Sequence, residues 1–146
     1  MYKYTECGLR NIQLRNGYEI YHTEHGESVG IHDVYGLHKI IGLHIVNNKP
    51  NITGTEIRFL RKELGLSQVE FAQILGVSEP SVRNWEKSRG KFTKPAERLL
   101  RLLYREHVSE NGIVRELIDR VSKINRDNYQ KVLELEETDS GWGQVA

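Results

Sequence analysis

An arginine and an asparagine, side by side on the open face of a short helix, can read the edges of nucleic-acid bases. Arg83 and Asn84 occupy such a place, following Ser78-Glu79-Pro80-Ser81-Val82. A guanidinium offers two donors that match guanine, and a carboxamide offers the donor and acceptor that match adenine. Glu79, Ser81 and Lys87 share the same outer face, with hydrogen-bonding groups for base edges or phosphates. Glu79 can accept from a cytosine amine or can repel a phosphate, so the base preference stays open.

Two short helices and a tight turn must position these groups, and the local sequence specifies all three. Ser67 is a good N-cap, with Glu70 three residues on, as a capping box requires. Phe71 and Leu75 lie one turn apart and point inward together, and Ala72 is small where two helices approach. Gly76 ends the first helix in a left-handed conformation that only glycine adopts cheaply. Val77 fills the turn. Ser78 caps the second helix, Pro80 falls in its first turn, and Val82 points back at the core. Trp85 is expected half-buried beside this helix.

The stretch Leu66–Lys87, within Thr53–His107, resembles the helix-turn-helix of the Cro and phage-repressor family, also called the XRE family. The resemblance implies a five-helix domain like that of lambda repressor, whose second and third helices read double-stranded DNA. It further implies that Gln68 contacts phosphate, and that Ser78, Glu79, Pro80 and Ser81 face the major groove with Arg83 and Asn84. Lys87, Arg89, Lys91 and Lys94 would touch the DNA backbone. Glu79 and Pro80 depart from the amide side chains that some phage repressors use for base contact.

Charge distribution agrees with one bounded polyanion-binding face. The 146 residues carry a net charge of only +1. Residues 53–107, however, hold eleven Lys/Arg against seven Asp/Glu, and Arg83–Arg105 alone holds eight against two. Hydrophobic residues at 38% and charged residues at 28% describe a globular chain. Apolar runs stay short of a membrane span, and Met1-Tyr2-Lys3-Tyr4 lacks the apolar stretch of a secretory signal, so a cytoplasmic location is expected. Cys7 is the single cysteine, which excludes an internal disulfide and an all-cysteine zinc site.

The periodicity predicts a mainly α fold with a small N-terminal β-unit. Asn11–Leu14 and Tyr18–Tyr21 alternate as strands around the turn pair Asn16-Gly17, with a third strand at Ser28–Ile31 after Gly26. Asp33 opens a helix to about Asn47, with Val34, Leu37, Ile40, Ile41, His44 and Ile45 as its apolar stripe. Asn47–Asn51 reads as a linker. Five helices follow at about 53–64, 68–75, 79–87, 95–107 and 110–123, with Leu99, Leu100 and Leu103 facing the core. A short sixth near 127–135 precedes an acidic, mobile tail. Three units result: 1–50 as a small partner-binding domain, 51–125 as the helix-turn-helix domain, and 126–146 as short helix and tail.

Residues 1–50 also resemble in layout the MqsA (YgiT) type of antitoxin, in which an N-terminal zinc domain holds a toxin. The zinc cysteines of that family are absent here. The resemblance implies a toxin protein as partner; the alternative is a stand-alone regulator whose N-terminal domain senses a small molecule or a protein. His22, His25 and His32 lack the close pairing of metal ligands, and His38 and His44 belong with the packing residues, so no metal is expected. No nucleophile–base pair, phosphate-binding glycine loop or carboxylate cluster is present, so neither enzyme nor cofactor is expected. Ile113, Val114, Leu117, Ile118, Val121 and Ile124 exceed what the domain core needs and are expected to form a homodimer surface. Two copies would then bind a palindrome and repress by occupancy.

Overall fold

Six helices and three two-stranded ribbons make up the chain, seen in a computed structural model that describes residues 1–124, 127 and 132–145. The helices are α1 (Val34–Asn48), α2 (Gly54–Glu63), α3 (Gln68–Leu75), α4 (Glu79–Glu86), α5 (Lys94–Val108) and α6 (Ile113–Ser122). None is long and apolar enough to cross a membrane among the described residues. Four of the six starts, those of α1 to α4, are fixed by an N-cap side chain. Thr53 and Ser67 close full capping boxes with Glu56 and Glu70, and Asp33 accepts from the Gly36 amide at the head of α1.

The N-terminal strands pair differently from the sequence expectation. β2 (Gln13–Leu14) pairs with β1 (Tyr2–Lys3), and β3 (Tyr18–Thr23) pairs with β4 (Gly26–Ile31), Ile20 opposite Val29. Asn16-Gly17 therefore links two ribbons and closes no hairpin between Asn11–Leu14 and Tyr18–Tyr21. The true hairpin turn is Glu24-His25. There the Thr23 hydroxyl donates to the Gly26 carbonyl at 2.6 Å and accepts from the His25 amide at 3.3 Å. The Tyr2 and Tyr18 rings, 5.2 Å apart, hold the ribbons together.

One hydrophobic core joins this unit to the helices. Tyr4, Leu9, Ile41, Ile45 and Val46 lie in the same buried cluster as Ile57, Leu60, Phe71, Val82, Leu100 and Tyr104. The buried face of α1 keeps Ile41 and Ile45 of the predicted stripe, with Leu37 partly buried, but is turned toward Gly42 and Val46, which leaves Val34, Ile40 and His44 exposed. The cause is the Tyr104 ring on α5, which lies so close that any Cβ on Gly42 would overlap it. Burial pushes the Tyr104 phenol up to about 12. His38 does pack, between Tyr4 and Phe59. Its Nε2 lies 2.7 Å from the Tyr4 hydroxyl and its Nδ1 3.2 Å from Glu63, which ties ribbon, α1 and α2 together.

The segment between α1 and α2 is fastened at both ends. Lys49 Nζ donates to both Glu56 oxygens at 3.0 and 2.8 Å. Arg101 on α5 donates to the carbonyls of Val46 at 3.0 Å and Lys49 at 2.7 Å, satisfying orphan groups at the end of α1. Arg101 also pairs with Glu97.

At the C-terminal end, β5 (Leu135–Thr138) and β6 (Gly141–Gln144) form an exposed hairpin where an irregular tail was expected. The two-residue turn Asp139-Ser140 permits it, and Thr138 hydrogen-bonds across to the Gly141 carbonyl at 3.1 Å. Residues 128–131 of the helix expected near 127–135 lie outside the described residues; Asp127 and 132–134 are not helical, and Leu135 opens a strand.

Gly42→Ala is expected to destabilise the fold by about 1–3 kcal/mol, because the added methyl displaces the Tyr104 ring from a filled core. Equilibrium urea unfolding measures it; an unchanged midpoint would contradict the close approach of α1 to α5.

Candidate nucleic-acid interface

Helix α4 lies on the molecule with one buried edge and one open edge. Val82 is fully buried and Trp85 and Glu86 nearly so, while Arg83, Asn84 and Lys87 are exposed. Trp85 is thus more buried than the expected half, because the Phe92 ring covers it at 5.0 Å. Gly76 adopts φ 71°, ψ 31°, and the Val77 amide returns to the Ala72 carbonyl at 3.0 Å, so α3 and α4 meet in a tight turn. Phe71 and Ala72 are buried beneath it, with Leu75 and Val77 partly so. On α5, Leu100 and Leu103 are buried in the core and Leu99 packs partly against it.

A buried ion pair fixes the tilt of α4. Arg61 Nε donates to Glu86 Oε2 at 2.7 Å and Nη2 donates to Oε1 at 3.0 Å, while Nη1 donates to the Leu66 carbonyl at 2.8 Å. The arrangement is bidentate, and both side chains are at least nine-tenths buried. One guanidinium therefore joins α2, the loop before α3 and the end of α4.

The sequence-predicted residues fall into distinct settings. Gln68 is half-buried and donates to Glu86 Oε1 at 3.3 Å, so its amide extends the ion pair in the free molecule. Ser78 accepts from the Ser81 amide at 3.3 Å, and the two hydroxyls lie 2.9 Å apart, so both are engaged with each other. Glu79, Arg83 and Lys87 line a cleft of about 620 Å³ together with Gln68. Asn84 and Pro80 are exposed outside it. Arg89 and Lys91 are exposed in the loop after α4, where Ser88 (φ 58°) and Gly90 (φ 74°) turn the chain and the Arg89 amide donates to the Asn84 carbonyl at 2.7 Å. Lys94 leans toward Glu97 at 3.7 Å.

Two residues that sequence inspection passed over join the same cleft: Arg58 on α2 and Val69 at the start of α3, the latter 49% exposed. Arg58 sits three residues before the buried Arg61, a spacing visible in sequence, but nothing local says which arginine turns outward. Glu70, across the capping box, has its carboxyl held below the usual carboxylate range by the Ser67 backbone N–H and, second, by the Ser67 hydroxyl. His22 pairs with Glu27 and His32 with Glu19, each at 3.4 Å. No three metal-ligating side chains gather among the described residues.

Residues 57–103 match a family model described as helix-turn-helix. The uncharacterized HTH-type transcriptional regulator YiaG of Escherichia coli K12 is 45% identical over 49 residues, 34% of this chain and 51% of the relative. YiaG of the O157:H7 strain matches with the same figures. The chain spans about half the length of the curated relatives it matches. No solved structure is significantly similar to it.

Arg61→Ala is expected to cost about 3–5 kcal/mol, since it strands the Glu86 carboxylate in the core. The double variant Arg61→Met with Glu86→Leu should regain most of that loss. Denaturant titration of the three proteins checks both; equal stability of the single and double variants would refute the desolvated pair.

Proposed function

Residues 57–103 give this chain a helix-turn-helix domain of the Cro and phage-repressor kind, and on that footing we propose that it is a sequence-specific transcriptional repressor. Helices α2 to α6 are the five-helix domain, and α4 is the element that enters the major groove. The observation that carries this is the two-edged character of α4: Val82, Trp85 and Glu86 anchor it, and Arg83 and Asn84 stand free on its open side. Arg83, Asn84 and Glu79 contact base edges. Ser78 and Ser81 hold the first turn and meet the backbone, Gln68 reaches a phosphate at the head of α3, and Lys87, Arg89 and Lys91 follow the sugar-phosphate chain. Arg58 adds a cation on the flank.

The dimer reading rests on α6. Val114 and Ile118 pack on the core, whereas Ile113, Leu117, Val121 and Ile124 remain 44–65% exposed along one side. Such a stripe is the surface a second copy would cover. Two recognition helices one DNA turn apart would read a palindromic operator, and occupancy would block a promoter. The chemistry asked of the protein is binding, without catalysis, in the cytoplasm.

An antitoxin role is a second reading, with residues 1–50 as the partner-binding unit. It is favoured by the exposure of Ile20, Tyr21, Val34 and Tyr35 on the ribbon and the adjoining start of α1. Exposed aromatic and aliphatic groups suit a protein partner. Co-purification with the product of the neighbouring gene tests it.

Selection from random duplexes at moderate salt should enrich one palindromic motif; failure to enrich any would end the repressor proposal. On the selected site, Arg83→Ala should weaken binding by about 1–3 kcal/mol and relax a single base position. Equal loss on every sequence would show a phosphate contact instead. Lys91→Ala should weaken binding to all sequences alike and lower the salt slope by about 1. Leu117→Glu should leave a folded monomer in sedimentation analysis; a persistent dimer would place the interface elsewhere.

A further inference from the structure

We propose that the cleft between α5 and α6 is a binding site for a free α-amino acid with an apolar side chain. The cleft encloses about 400 Å³, the size of a small-ligand site. Leu64, Leu66 and Leu103 form its floor. Tyr35, 79% exposed at the start of α1, supplies an aromatic wall. An apolar side chain laid there gains cover from water that the protein alone does not provide.

The rim chooses the head group. Glu106, His107, Glu110 and Arg115 line it. Carboxylates and nitrogen donors side by side on one rim suit a zwitterion. The Arg115 side chain is 43% exposed and pairs with Asp119 at 3.6 Å, too long for a hydrogen bond, so its Nε, the one atom closed off from solvent, has no acceptor. A ligand carboxylate would let the guanidinium turn and satisfy that N–H. Glu106 already receives the Val114 amide at 3.0 and 3.2 Å, so Glu110, whose amide donates to the His107 carbonyl but whose carboxylate has no hydrogen bond or ion pair among the described residues, is the group for the ligand ammonium.

The position gives such a ligand leverage. α6 touches the core through Val114 and Ile118, so a molecule held between Arg115 and the α5 side would pin α6 and the exposed stripe it carries. This is independent of whether α4 reads DNA, and it is tested without DNA.

Calorimetric titration of the full chain with L-leucine and L-phenylalanine should show saturable binding by at least one, with Kd below about 1 mM. 4-Methylpentanoate, which lacks the ammonium, and 3-methylbutylamine, which lacks the carboxylate, should each bind at least about tenfold more weakly than leucine. Arg115→Gln should lose about tenfold in affinity, while Arg120→Gln, on the exposed side of the same helix, should bind as the parent does. Circular dichroism confirms that both variants are folded. No saturation by either amino acid up to about 10 mM, full binding by the deaminated analogue, or unaltered binding by a folded Arg115→Gln would each overturn the proposal.

Discussion

A guanidinium and a carboxylate, both withdrawn from water, set the pose of α4. Taking Arg61 and Glu86 out of solvent costs several kcal/mol for each ion, and the cost is offset only when geometry and extra hydrogen bonds are favourable. Here they are: two parallel N–H···O contacts, a third donor to the Leu66 carbonyl, and the Gln68 amide on the remaining side of Glu86. Arginine alone can do this, because its planar fork serves the acid and the loop carbonyl together. The energetic return in stability is small. The return in orientation is large, since any rotation of α4 that hid Arg83 would also strip Glu86 of its partners.

Local chemistry was legible in the sequence to a fine grain. Thr53, Ser67, Gly76 and Ser78 mark helix ends through hydrogen bonds a few residues long, and α3 begins and ends where those signals place it. Once Val82 is assigned inward, helical geometry turns Arg83 and Asn84 outward. Distant partners were illegible. The β2–β1 pairing involves two residues at the extreme start of the chain, and nothing near Gln13 announces them. The face of α1 turns on Gly42, which scores as a poor helix residue until Tyr104 is placed against it. Arg58 and Val69 reach the cleft from separate helices, so no single-helix pattern contains them.

The basic block between Arg83 and Arg105 likewise divides once partners are known. Arg101 is consumed by the end of α1 and Lys94 approaches Glu97, whereas Arg83, Lys87, Arg89 and Lys91 stay open to solvent. Counting charges along the chain locates a basic region. Only the tertiary contacts separate cations that brace the fold from cations left open to solvent; four of the open ones lie on α4 and the loop that follows it, and Arg98 and Arg105 lie on α5.

The stretch whose composition marks it as a tether is in fact a weld. Lys49 and Arg101 clamp it, and the core passes beneath it without a break. The N-terminal ribbon is therefore no pendant on a string but is fastened to the body through a shared core. Force applied at the ribbon is transmitted through Tyr4, His38 and Glu63 into α2, the same helix whose Arg61 grips α4. The same chain of contacts that anchors the ribbon therefore ends at the helix that holds α4.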